Sequence, residues 1–303
     1  MLFVLLLASL LTFNAIAANT GVIEITQPQN YTRVVAVSDI HGSIRRLREL
    51  LINSNLINDA DKWTGGRTLF IVTGDSIDKG HNSIGVLDLW MKLEPQIAQA
   101  GGKFIHVLGN HEAEFLADPM NYKADELRAE LKEKGIKLKE LTDENFPRGK
   151  FIRSMPLAAR VGKWLFCHSG HYPKMTWAAF KTKAQQVLSS GDYSNEFLIG
   201  ENSILTDKEW WKYNSQLKEV KAVLNKNGIF GVVFGHDPNA FRTPSEIQAV
   251  EGYTFIKIDV GINRVAGGNP GRLLIFPEPS QLNEMVAPTV LSMDELGKAY
   301  KVK

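Results

Sequence analysis

The chain has 303 residues, and its 35 lysines and arginines nearly balance 33 acidic residues. With no basic run interleaved with aromatics, that balance argues against nucleic acid as its main partner. The length holds one large α/β domain with insertions or two modest domains, and the single cysteine, Cys167, excludes an internal disulfide and a cysteine-built zinc site.

Residues 2–11 are nearly all apolar, and Ala15-Ile16-Ala17 follows with small residues where a signal peptidase reads. The pattern predicts a signal peptide over 1–17, a mature chain of 18–303, and a periplasmic or secreted protein. No Lys or Arg precedes the run, so an uncleaved anchor and a buried first element are the alternatives. A span needs roughly 20 apolar residues, and Asn14 interrupts this one. Nothing later in the chain is long and apolar enough to cross a bilayer.

Past the leader, Val34-Val35-Ala36-Val37 reads as a buried strand. Residues 43–53 then place Ile44, Leu47, Leu50 and Leu51 on one helical face. The pattern repeats with Leu69-Phe70-Ile71-Val72 and a helix over 84–98, followed by a third strand, Phe104-Ile105-His106-Val107-Leu108. Strand, loop and helix in alternation predict a layered α/β fold. From 118 to 150 the chain turns polar and helical, with a charged helix over 125–132 read as a solvated face and stopped by Gly135. Further helical stretches at 174–188 and 209–227 complete a predicted cap beside the active site, inserted into a single domain.

Five clusters punctuate these elements: Asp39-Ile40-His41-Gly42, Gly74-Asp75-Ser76-Ile77-Asp78-Lys79-Gly80, Gly109-Asn110-His111-Glu112, His168-Ser169-Gly170-His171 and Gly235-His236-Asp237. The first three follow predicted strands, at whose C-terminal ends an α/β sheet gathers side chains into a crevice. Asp39 and His41, two apart on an extended strand end, point to the same side and suit one metal. Carboxylate, carboxamide and imidazole without sulfur suit two hard or borderline divalent cations.

The clusters resemble the calcineurin-like metallophosphoesterases, and within them the phosphoprotein phosphatases, whose signatures are Gly-Asp-x-His-Gly, Gly-Asp-x-x-Asp-Arg-Gly and Gly-Asn-His-Glu followed by two isolated histidines. Ile258-Asp259-Val260-Gly261 with Gly267-Gly268 is similar to bacterial, Shewanella-like members. The resemblance implies a β-sandwich flanked by helices and a dinuclear phosphatase acting on phosphate monoesters; the leader adds the expectation that the enzyme is exported. Its expected substrates are phosphorylated protein or peptide side chains, or a phosphorylated small molecule. It implies metal ligation by Asp39, His41 and Asp75 at one ion, and by Asp75, Asn110, His168 and His236 at the other. The ions are manganese, iron or zinc, with manganese first. A hydroxide held between them attacks phosphorus while His111 acts as general acid, its ring held and its pKa raised by Asp78.

Substrate contacts fall to Lys79, Asn110 and His171. Lys79 stands where the family has arginine, and no arginine lies between His168 and Phe241, so Lys208 or Lys212 is the candidate replacement for a second phosphate-binding arginine. His81 and His106 are read as loop and core residues. Pro238 replaces the last histidine of the Gly-His-x-His motif of the superfamily's nucleases. The alternatives are a dinucleotide-polyphosphate or nucleotide hydrolase, and an inactive module that binds phosphorylated surfaces.

Overall fold

Strands with apolar residues at consecutive positions are built for burial on both faces. The computed structural model describes residues 21–263, 265 and 267–302 and shows what covers those faces. In chain order the strands are β1 (Val22–Ile25), β2 (Arg33–Val37), β3 (Thr68–Val72), β4 (Lys103–His106), β5 (Ala158–Val161), β6 (Trp164–Cys167), β7 (Gly231–Phe234), β8 (Gln248–Val250), β9 (Phe255–Lys257), β10 (Arg272–Phe276), β11 (Leu291–Asp294) and β12 (Ala299–Lys301). The helices are α1 (Ile44–Asn53), α2 (Ser83–Gln99), α3 (Asn110–Ala117), α4 (Asp125–Glu133), α5 (Lys139–Thr142), α6 (Pro147–Arg153), α7 (Trp177–Ser190), α8 (Glu196–Ile199) and α9 (Asn214–Lys226). The strands form two six-stranded sheets, β1-β5-β6-β7-β9-β8 and β12-β11-β10-β2-β3-β4. β2, β3 and β4 run parallel in one sheet, as do β6 and β7 in the other.

Alternation along each strand divides the core in two. Val34, Ala36, Leu69 and Ile71 meet Ala159, Trp164, Phe166 and Val233 between the sheets. Their neighbours Val35, Val37, Phe70 and Val72 face outward and join Leu47 and Leu50 of α1 and Leu87 and Trp90 of α2. On the other sheet, Leu165, Cys167 and Val232 belong to the cluster that contains Phe180 of α7 and Leu224 of α9. The molecule is a β-sandwich flanked by helices, as the sequence predicts. Cys167 is fully buried and its thiol is pushed up to about 12 by that burial, which makes it a packing residue.

Two helix starts differ from the sequence reading. α7 begins at Trp177 because Thr176 caps it, its side chain accepting the Ala179 N–H at 3.2 Å. Helix α9 begins only at Asn214. Before it, the Asp207 carboxylate accepts the N–H groups of Glu209 and Trp210, and that local turn displaces the helix expected from 209. Helix α4 is anchored on α2, with Glu130 accepting the Ser83 and Ile84 N–H groups at 2.8 and 3.2 Å. A carboxylate at a helix N-terminus also complements the helix dipole. The predicted leader lies outside the described residues, among which no helix is long and apolar enough to cross a membrane.

Candidate metal centre

The loops that leave β2, β3 and β7 carry the polar residues on strained backbone. Asp39, His41, Asp75, Asp78, Lys79 and His236 have φ of 52°, 45°, 56°, 64°, 56° and 70°. Left-handed conformations cost non-glycine residues roughly 1–3 kcal/mol each and persist where the surroundings over-determine them. Here the loops hold one another: the Asp39 N–H donates to the Gly74 carbonyl at 3.1 Å and the His41 N–H to the Asp75 carbonyl at 3.0 Å. Two glycines permit the approach. A Cβ on Gly109 would stand 2.2 Å from Asp75 Oδ1, and one on Gly235 would stand 2.1 Å from Asp39 Oδ2.

Each imidazole is fixed by a carbonyl, which can only accept. His41 Nδ1 donates to Ile77 at 2.9 Å, His168 Nδ1 to Thr73 at 2.7 Å and His236 Nε2 to Thr206 at 3.1 Å. In the neutral rings the nitrogens that can serve a metal are therefore His41 Nε2, His168 Nε2 and His236 Nδ1, the first of which here accepts from Lys79 Nζ. They meet around Asp75, whose Oδ2 is 3.5 Å from His41 Nε2 and 3.3 Å from His168 Nε2. His168 Nε2 lies 3.1 Å from His236 Nδ1 and 3.0 Å from Asn110 Oδ1. Asp39 Oδ1 is 3.8 Å from His41 Nε2. The structure thus brings together all six residues named as ligands from the sequence. His111 joins them: its ligand atom, with those of His41 and Asp75, forms one group within 4.8 Å, and Asp75, His168 and His236 form another.

The donor set fits divalent cations. Asp39 Oδ1 and Asp75 Oδ2 are buried without a hydrogen-bond donor, a condition that costs about 1–3 kcal/mol per group or more when charged. Facing them are nitrogen lone pairs, so a positive charge among them relieves every one of these conflicts. Although burial disfavours charge throughout, His168 and His111 hold the Asp75 carboxyl well below the usual carboxylate range. Burial alone would lower His168, but Asp75 and Asp39 raise it to about 9. Metal binding replaces such an imidazolium proton with metal charge.

Several supporting residues escaped the sequence reading. Glu112 is fully buried, and its carboxylate accepts the N–H groups of Asp75, Ser76, Ile77 and Gly109 at 3.0, 2.7, 3.3 and 3.1 Å. One side chain so ties the second cluster to the third; the Glu three residues after Gly109, in capping-box position, is the signal that marks it. We expect Glu112→Gln to destabilise the fold by about 2–3 kcal/mol, since an amide turns N–H toward N–H at part of this site. Urea unfolding would reveal it, and an unchanged midpoint would show that the loops hold without it. Glu114 accepts from Asn110 Nδ2 at 3.1 Å and from Lys123 Nζ at 2.6 Å, aiming the Asn110 carbonyl oxygen at His168. Asn263 donates to the His41 carbonyl at 2.7 Å from across the sandwich.

His111 Nδ1 lies 2.9 Å from Asp78 Oδ2, and its Nε2 lies 3.9 Å from Asp75 Oδ2. Burial, reinforced by Glu112 and Asp75, raises Asp78 to about 8. The sequence reading expects Asp78 to raise the His111 pKa, but burial outweighs it and holds the ring well below the usual imidazole value. A protonated Asp78 donates to Nδ1 and leaves the proton of the neutral ring on Nε2. Lys79 Nζ is 2.9 Å from His41 Nε2.

Beside the centre opens a cavity of about 580 Å³ lined by Lys79, Asn110, His111, Lys208 and His236, among others. Lys212 is not among its lining residues; it pairs with Glu209 on the surface. His171 faces elsewhere. It pairs with Asp207 at 2.8 Å and lines a separate cavity of about 390 Å³ with Trp210, so its expected place at the substrate is not where the structure puts it. Asp207, already the acceptor of the turn before α9, draws the ring away. His81 is exposed, and His106 is a satisfied core residue bonded to Ser76 Oγ at 2.7 Å.

Comparison with known proteins agrees with this geometry. Over 80 residues the chain is 39% identical to Shewanella-like protein phosphatase 2 of Arabidopsis thaliana, covering 26% of this chain and 20% of that protein. Over 148 residues it is 27% identical to Shewanella-like protein phosphatase 1 of Plasmodium berghei, covering 46% and 39%. The aligned stretches thus span well under half of either relative. A cold-active protein-tyrosine phosphatase of a psychrophilic Shewanella superposes with a TM-score of 0.73 at 18% identity, over 95% of this chain and 85% of that one, which shows a shared fold. The family profile described as calcineurin-like phosphoesterase matches residues 32–261, from the edge of β2 to the loop beyond β9. The chain belongs to the calcineurin-like phosphoesterase family.

Proposed function

We propose that the protein is an exported, dinuclear metal-dependent phosphatase that hydrolyses phosphate monoesters, with phosphorylated protein or peptide side chains as its substrates. The observation that carries this reading is the pair of donorless carboxylate oxygens, Asp39 Oδ1 and Asp75 Oδ2, facing imidazole nitrogens beside the His111–Asp78 pair. Asp39, His41 and Asp75 would hold one ion, and Asp75, Asn110, His168 and His236 the other. When bound, such a pair polarises the phosphoryl group and makes water a nucleophile at neutral pH.

The chain's own residues do the rest. Lys79 and Lys208, on the cavity wall, bind phosphate oxygens as point charges in place of the family's arginines. His111 gives its Nε2 proton to the departing oxygen while its Nδ1 takes the proton of Asp78, so the ring stays neutral and Asp78 is left as the carboxylate that keeps it aimed. Protein substrates are supported by the names of the two Shewanella-like relatives. Export is supported by the apolar run and Ala15-Ile16-Ala17; a mature N-terminus other than Ala18 in fractionated cells would contradict that cleavage.

The test is hydrolysis of p-nitrophenyl phosphate by metal-stripped protein before and after adding manganese, iron or zinc. Turnover should be absent without metal and return with it, manganese giving the most. Turnover that persists in chelator, or that no metal restores, would sink the proposal. A panel of phosphotyrosine and phosphoserine peptides against diadenosine tetraphosphate then separates it from a polyphosphate hydrolase.

A further inference from the structure

The cavity beside the metal residues has a mixed lining. Lys79 and Lys208 belong to it, as do Tyr122 and Lys123 in the turn before α4, Asp125 and Glu126 at the start of α4, and Val265. A carboxylate is out of place where a phosphate dianion must enter, unless something cancels its charge. Glu114 is cancelled by Lys123 at 2.6 Å, and Asp125 by Arg128. Glu126 has no ion-pair partner among the described residues, and its Oε2 is buried without a hydrogen-bond donor. The charged helix that the sequence presents as a solvated face therefore turns one carboxylate without an ion-pair partner toward the cavity, set in the first turn of α4.

Two other lining residues are equally unusual. Tyr122 is 78% exposed and Val265 is 69% exposed, two large apolar side chains left in solvent at one cavity. A lysine or arginine matches this combination: its aliphatic stem covers apolar surface, its charged head seeks a carboxylate, and an aromatic face adds a cation–π attraction. We propose that the site takes a phosphorylated peptide segment with a basic side chain near the phosphorylated residue. Glu126 receives the cation, and Tyr122 and Val265 cover its stem. The phosphate meanwhile lies toward Lys79 and Lys208, so the substrate's two charges match the two kinds of charge that line the cavity. This inference rests on the phosphatase reading above and specifies its substrate.

The experiment uses the full, metal-loaded protein and one phosphotyrosine peptide made in matched pairs, with Lys or Glu at each neighbouring position in turn. At one position or more, kcat/KM should favour the Lys peptide by about fivefold at low salt, the upper range for a partly exposed ion pair. The preference should shrink in high salt. Glu126→Gln should bring the ratio near one, and Glu126→Lys should reverse it. Because each ratio is taken within one variant, a general loss of activity cancels. Equal ratios in all three proteins, a preference for Glu in the unaltered protein, or turnover of p-nitrophenyl phosphate with no peptide cleaved would each overturn the inference while leaving the phosphatase standing. Failure on p-nitrophenyl phosphate as well would overturn the underlying reading and this one with it.

Discussion

Asp75→Asn is expected to cut metal-dependent hydrolysis by roughly a thousandfold, equivalent to about 4 kcal/mol of transition-state stabilisation. Asp75 is the hub of the centre: its Oδ2 lies within 4.0 Å of His41, His111 and His168, while its Oδ1 accepts the His111 N–H at 3.0 Å. Asparagine keeps the shape and can keep the Oδ1 contact. At Oδ2 it places an amide whose hydrogens point at the nitrogens of the centre and whose neutral dipole replaces a charge. The comparison is initial rate at saturating manganese, with circular dichroism verifying that the fold survives. A loss below about tenfold would mean that the hub position carries little of the chemistry.

The second large effect concerns His111, and it depends on the leaving group. General acids contribute about 10²–10⁴-fold, but only where the departing oxygen needs a proton. His111→Asn should therefore lower turnover of a phosphoserine peptide or an alkyl phosphate by about that factor, and of p-nitrophenyl phosphate far less. Asp78→Asn should show the same pattern in weaker form, because Asp78 acts only through the ring, at 2.9 Å from Nδ1. Equal losses on both leaving groups would assign His111 a binding or ligand role. Its ligand atom already stands within 4.8 Å of those of His41 and Asp75, so that outcome has a structural basis.

Much of the sandwich was legible because β2 and β3 are apolar at every position or nearly so, and period-2 alternation then allots Val34 to one core and Val35 to the other. The clustering of Asp39, His41, Asp75, Asn110, His168 and His236 was legible for a related reason: each follows a strand or its loop, and parallel strands deliver their ends to one edge. The contacts that hold the cluster were not. Glu112 binds four backbone N–H groups; its capping-box position announces the one on Gly109, but not those on Asp75, Ser76 and Ile77. Asn263 reaches the His41 carbonyl across 222 positions of sequence. His171 misled because its spacing from His168 suggests a shared site, whereas Asp207, far away in sequence, claims its ring. The His111 pKa also moved opposite to expectation, because burial lowers it and a motif shows a neighbouring carboxyl but not the depth of burial.

In the proposed centre Asp75 joins two metal ions. The most direct measurement is metal content by mass spectrometry after equilibrium dialysis against manganese, taken alongside activity on the same samples. The account predicts two ions per chain in the unaltered protein, with activity rising as the second site fills, and loss of both bound metal and activity in Asp75→Asn. Full activity with a single ion per chain, or two ions retained by Asp75→Asn, would contradict it.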